Sequence, residues 1–241
     1  MSDTTTTAPA VPESLRSHLA LALDVDDLVA ASRLARDLSP WYGTMKVGLE
    51  LFSAAGPDAI ATLANHDVDV FLDLKLHDIP NQVGRAARVL GALGASYVTF
   101  HTGGGVAMLR AGVEGLREGA AGAGLPEPCA LAVTVLTSDP DWSEHVVRQR
   151  VVAGLEAGCG GFVCSVQDLP ILRELAPAAT IATPGIRPEG ASSDDQARVA
   201  TPSVALEGGA DLLVIGRPIV QADDPIAATR ALVAPLLAAE D

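Results

Sequence analysis

The stretch Val70-Phe-Leu-Asp-Leu-Lys-Leu-His-Asp-Ile-Pro80 decides the reading of the fold. Its first half, Val70–Leu74 (VFLDL), is a short apolar run of β type. Its end, Asp78-Ile79-Pro80, opens a helix with proline near the first turn, where a missing N–H costs nothing. The same succession recurs along the chain. The other β-type runs are Leu19–Leu23, Thr44–Val47, Tyr97–Phe100, Ala130–Leu136, Gly161–Cys164, Thr180–Thr183 and Leu212–Ile215. Between them, apolar residues recur at helical spacing, with further helix openings at Asp26-Asp27 and Asp223-Asp224-Pro225. Strand–helix alternation predicts a parallel sheet. From Leu19 onward each unit takes roughly 28 residues, which suits a single (β/α)8 TIM barrel. An open doubly wound sheet usually has fewer strands, and no G-x-G-x-x-G follows the first run here. The expected organisation is a flexible N-terminal tail over residues 1–17 and a barrel catalytic domain over residues 18–241.

A barrel of this kind carries its functional residues at the C-terminal ends of the strands. The polar residues gather there. Asp24 follows the first run, Lys46 lies in the second, and Asp73 and Lys75 end the third. His101, Thr137-Ser138 and Ser165 follow the next three, and Pro184-Gly185 and Gly216-Arg217 the last two.

Composition removes several classes of function. The net charge of −14 does not suit nucleic acid or an anionic membrane as a partner. No apolar run approaches the length of a membrane span. The opening MSDTTTTAPAVPE lacks the charge and the apolar region of a signal peptide. Three cysteines, Cys129, Cys159 and Cys164, form no C-x-x-C pair and no disulfide framework, which points to a reduced, cytoplasmic setting. No Gly-Lys dipeptide occurs, so there is no P-loop, and no G-x-S-x-G elbow is present. Of the 16 cationic residues only Lys46 and Lys75 are lysines. A GC-rich genome explains why arginine is used elsewhere. It does not explain why these two stayed lysine. Lysine differs from arginine where a compact point charge or a transferable proton is required.

Residues i and i+2 of a strand share a face, so Asp73 and Lys75 are expected to point together into the barrel mouth. Lys46 arrives from the adjacent strand. Asp78 lies three residues past Lys75 on the turn into the helix, facing the same site or a neighbouring subunit. Such pairs often only hold loops. Both lysines of the chain are in this cluster, however, and buried charge is costly unless paired or used. A lysine flanked by carboxylates keeps its proton, which suits late donation to a strongly basic carbanion and not a Schiff base.

At the end of the seventh and eighth runs stand Thr183-Pro-Gly-Ile-Arg187-Pro-Glu-Gly190, Asp195-Gln196 and Ile215-Gly216-Arg217. Glycine lets backbone N–H groups approach an anion, and arginine offers a forked donor set. A phosphate site fits better here than surface pairing of Arg187 and Arg217 with Glu189, Asp194 or Asp195. The stretch from Gly185 to Gln196 has the composition of a lid. A metal at His77, Asp73 and Asp78 is disfavoured because neighbouring lysines repel a cation. His101 is expected to hydrogen-bond within the barrel mouth, and the cysteines to be small core residues.

These residues together resemble a family. LALDV, KVGLELF, VFLDLKLHDIPNQV, VTVLTS, TPGIRPEG, DDQARVATP and IGRPI occur in this order from about Leu21 to Pro225. The set resembles bacterial orotidine 5′-phosphate decarboxylases. The resemblance implies decarboxylation of orotidine 5′-monophosphate to UMP, the last step of pyrimidine nucleotide synthesis, without cofactor or metal. It implies that Lys46, Asp73, Lys75 and Asp78 form an alternating charge array with Lys75 as proton donor to C6. Asp78 would reach the partner's site in a homodimer. Asp24 and Lys46 would bind ribose, Thr137 with Ser138 nearby the pyrimidine, and Gln196, Arg187 and Arg217 the phosphate. Pro184, Gly185 and Gly216 would shape the phosphate end. One departure stands out: Gln82 occupies a place where the family usually has threonine, which affects a ribose contact and not the reaction. Two alternatives stay open. One is a metal-dependent relative, a 3-keto-gulonate-phosphate decarboxylase or hexulose-phosphate synthase. The other is a non-catalytic phosphosugar-binding barrel.

Overall fold

Each of the eight apolar runs forms a strand in the computed structural model, which describes residues 10–136, 142–188 and 199–240. The strands are β1 (Leu19–Ala22), β2 (Thr44–Gly48), β3 (Asp69–Leu76), β4 (Tyr97–His101), β5 (Cys129–Val133), β6 (Gly161–Val163), β7 (Thr180–Pro184) and β8 (Leu212–Ile215). They pair in sequence order, all parallel, and β8 closes on β1, with Ala20 beside Val214. The TIM barrel is therefore closed and single. Helix openings fall where side-chain chemistry places them. Asp27 caps the helix Leu28–Leu38 by accepting from the Val29 and Ala30 N–H groups. Pro80 sits in the first turn of the helix Pro80–Gly91. Asp224 accepts from the N–H groups of Ile226 and Ala227 at the start of the last helix, Pro225–Glu240.

The core has two layers. Inside the barrel, small residues (Ala20, Ala22, Ala182) share the space with Phe71, Leu131, Leu212 and Val214. Phe71 meets Tyr97 edge to face, with ring centroids 5.9 Å apart. Outside, one continuous apolar layer joins the strands to the helices. The helix Pro80–Gly91 lies very close to the helix Gly105–Ala123. A side chain at Gly115 or Gly119 would strike the backbone carbonyls of Gly84 and Arg88. That close packing fixes the helix that follows β3, and with it the turn carrying Asp78.

Two expectations need correction. Residues 10–17 of the expected tail pack against the barrel. Val11 and Leu15 are buried in the outer core layer, and the Arg16 guanidinium donates to the carbonyls of Ser39 and Asp67. Residues 10–17 thus seal the lower rim of the barrel because they carry apolar side chains at helical spacing; residues 1–9 lie outside the described residues. Strand β5 also ends at Val133 and not at Leu136. Past it, the Thr134 carbonyl accepts from the Arg150 guanidinium and the Thr102 hydroxyl. The carbonyl is thus taken by side chains.

Candidate active site

Strand polarity delivers Asp24, Lys46, Asp73 and Lys75 to one mouth of the barrel, where they form a chain of alternating charge. Lys46 Nζ donates to Asp24 Oδ1 at 3.2 Å and lies 3.6 Å from Asp73 Oδ2. Lys75 Nζ donates to Asp73 Oδ1 at 2.8 Å. Lys46 is buried, whereas the Lys75 side chain is 32% exposed and opens onto a cleft of about 640 Å³. Burial alone would push the Asp73 carboxyl up. Lys46, Lys75 and the hydrogen bonds from Lys75 and Thr99 outweigh burial and hold it below the ordinary aspartate value.

The backbone that achieves this is not a regular strand. Leu72 pairs with Val98 and Leu76 with Phe100, so β3 carries extra residues in a bulge between them. Lys75 sits at φ +49°, in the left-handed region. Its N–H donates to the buried Thr99 hydroxyl at 2.8 Å in place of a strand carbonyl. The i, i+2 rule placed Asp73 and Lys75 together correctly, but the bulge brings them into contact.

The same cleft is lined by Pro184, Gly185, Arg187, Gly216 and Arg217. Among the described residues, four cationic side chains line it against three carboxylates (Asp24, Glu50, Asp73), in a chain of net charge −14. Gly185 has φ +83°, and the strand-like link between Ile186 and Ala200, with Arg187 N–H on the Ala200 carbonyl, holds Arg187 over the mouth. Thr137, Ser138 and Gln196, and residues 189–196 of the stretch expected to form a lid, lie outside the described residues.

Asp78 is not in this cleft. It is exposed, accepts from its neighbour Ile79 N–H, and lines a second cleft of about 660 Å³ with His77, Gln82, Arg85 and Arg88. His77 stacks on His101, with ring centroids 5.2 Å apart, and His101 Nδ1 accepts from the Gly103 N–H. Among the described residues no group of three or more His, Cys, Asp or Glu is arranged to hold a metal ion. The cysteines are unpaired and mostly buried, and burial pushes their thiols up, Cys129 to about 11 and Cys159 to about 12. No described helix is long and apolar enough to cross a membrane.

A family model described as "Orotidine 5'-phosphate decarboxylase / HUMPS family" matches residues 17–232. The chain belongs to that family. Proteins named orotidine 5′-phosphate decarboxylase from Moorella thermoacetica and Thermobifida fusca are each 45% identical to it, over 92% of this chain and 94% and 97% of theirs. A crystal structure of orotidine 5′-phosphate decarboxylase from Lactobacillus acidophilus superposes with a TM-score of 0.75 at 35% identity, covering 90% of this chain and 97% of that one. A structure of an uncharacterized conserved protein from Geobacillus kaustophilus gives the same TM-score at 32% identity. The named relatives are carboxy-lyases.

Reading the sequence missed three contributors to the site. Thr99 was legible only as a polar residue in an apolar strand. A side chain at Gly48 would crowd Asp24 Oδ1 and Lys46 Nζ, each at 3.2 Å, so glycine there makes room for their pair. Asp168, fully buried, accepts from the Ser165 hydroxyl at 2.7 Å and from the Trp142 indole at 2.9 Å, tying the chain after β5 to the floor of the cleft.

Proposed function

We propose that this chain converts orotidine 5′-monophosphate to UMP and carbon dioxide, with Lys75 as proton donor. The observation that carries the reading is the 2.8 Å Lys75–Asp73 pair opening onto the cleft that Arg187 and Arg217 also line. Breaking the bond from C6 to the carboxylate leaves an electron pair on C6. The Lys75 ammonium stabilises that charge as it develops and then transfers a proton to C6. Lys46 and Asp73 fix its position, so little reorganisation accompanies the reaction. Asp73 beside the substrate carboxylate also disfavours the bound ground state. Asp24 and Lys46 hold the ribose, and Thr137 meets the pyrimidine ring. Arg187, Arg217 and Gln196 bind the phosphate, with Pro184, Gly185 and Gly216 shaping the loops. Phosphate binding far from the broken bond contributes to turnover by holding the charged site together. In this reading the chemistry requires neither cofactor nor metal.

The site is shared between two copies. Asp78 lines a different cleft from Lys75 of its own chain, one bordered by the exposed Ile79 and Val89, a surface suited to a second copy. Asp78 then completes the Lys46–Asp73–Lys75 array of the partner, and Gln82 approaches its ribose end. The three unpaired cysteines fit a cytoplasmic location.

The test is the loss of pyrimidine absorbance when orotidine 5′-monophosphate is added, with and without chelator. The parent is expected to turn over equally in both, and Lys75→Ala to lose at least about a thousandfold in kcat. Chelator-sensitive turnover, or a Lys75→Ala enzyme within about tenfold of the parent, would overturn the reading.

A further inference from the structure

We propose that Thr99 is a positioning residue, whose hydroxyl bridges the Lys75 backbone and the Asp73 carboxylate and so holds the bulge that aims Lys75 into the cleft. The inference rests on the reading of Lys75 as proton donor. Four steps along β3, from Leu72 to Leu76, face only two on β4, from Val98 to Phe100. The surplus backbone must be satisfied by something other than the ladder. Thr99 Oγ1 accepts the Lys75 N–H at 2.8 Å and lies 3.2 Å from Asp73 Oδ1, closer than its 3.4 Å approach to the Leu72 carbonyl. Its one proton therefore goes to the charged acceptor. The hydroxyl is fully buried, so no water competes for these bonds. One small side chain thus fixes both ends of the Asp73–Lys75 pair, and it does so at a non-glycine residue with φ +49°. Such a conformation persists only when its surroundings impose it.

Valine at position 99 keeps the shape and removes the hydroxyl. Thr99→Val is expected to lower kcat by about tenfold to a hundredfold with KM changed less than about threefold, since the phosphate and ribose contacts are untouched. The pH below which kcat falls is expected to rise, because ionised Asp73 loses a hydrogen bond. The groups facing Asp73 are Lys46 from β2, Lys75 from β3 and Thr99 from β4, with Asp24 behind Lys46. Thr99→Ser restores the hydroxyl and is expected to stay within about threefold of the parent. Parental kcat with an unmoved acid limb in Thr99→Val overturns the proposal. So does Thr99→Ser as impaired as Thr99→Val, which would make the position purely steric. Should the valine variant not fold, Thr99→Ala is read in the same way. An active Lys75→Ala enzyme defeats the underlying reading, whereas an inactive one beside a normal Thr99→Val enzyme defeats only the role of Thr99.

Discussion

The barrel carries a charged cluster at each end, and the two are built differently. At the lower end, Arg173 pairs with Asp211 at 2.6 Å. Its guanidinium also donates to the backbone carbonyls of Gly209, Pro177 and Ala179. Asp211 accepts from the Ile181 N–H, and its carbonyl lies 2.6 Å from His18 Nδ1. Those bonds tie the helix end at Arg173, strand β7 and the entry to β8 into one rim. At the upper end, Lys46 pairs with Asp24 and Asp73 and Lys75 with Asp73, and Lys75 opens onto a cleft. An arginine spread over carbonyls is a clamp, because its planar fork holds several backbone segments at once. A lysine between carboxylates is a point charge with a proton to give. In the proposed reaction the same pairing of cation and acid therefore serves stability at one end and chemistry at the other.

The comparison is broken or sharpened by three changes, from the largest effect to the smallest. Mixing Lys75→Ala and Asp78→Asn subunits, each inactive alone, is expected to recover about a quarter of parental activity. Half of randomly paired dimers are mixed, and one of their two sites is intact. No recovery after demonstrated subunit exchange would confine the upper cluster to a single chain. Next, Arg217→Ala at the upper end is expected to lower kcat/KM for the nucleotide by about tenfold to a hundredfold, by loss of a charge-assisted contact to phosphate. The phosphate-free nucleoside should be nearly unaffected, and an equal loss for both would remove the phosphate from that arginine. Last, Asp211→Asn at the lower end is expected to cost about 1–3 kcal/mol of stability, read as a lower melting temperature, with kcat unchanged. A kcat change there at constant stability would erase the division of labour between the two ends.

The upper end should also respond to pH. The Asp73 carboxyl lies below its ordinary value in the folded protein. Its contribution to stability is therefore full above about pH 4, where the unfolded group is ionised. It is lost as pH falls through the lower, folded value.

The barrel was legible because eight apolar runs alternate with helix openings, and both periodicities are local properties of the chain. The location of the site was legible for the same reason: strand order in a parallel barrel sends every strand end to one mouth. The survival of two lysines among fourteen arginines marked its centre. Asp24, Lys46, Asp73, Lys75, Arg187 and Arg217 were found from type and position, and the structure brings them to one cleft. Thr99, Gly48 and Asp168 were not found, since each acts through a neighbour distant in sequence. The separation of Asp78 from Lys75 was equally out of reach of a spacing rule.

What the sequence determined by itself is thus the strand count, the parallel order and the charged end of the barrel, because these follow from patterns repeated within short windows. What only the tertiary structure decided is the bulge in β3, the left-handed turn at Lys75 and the diversion of Asp78 to a second cleft. Those depend on which strand lies alongside and how many residues it offers for pairing. Lys75 and Thr99 are 24 positions apart along the chain. Their hydrogen bond exists only once the barrel has placed β3 beside β4.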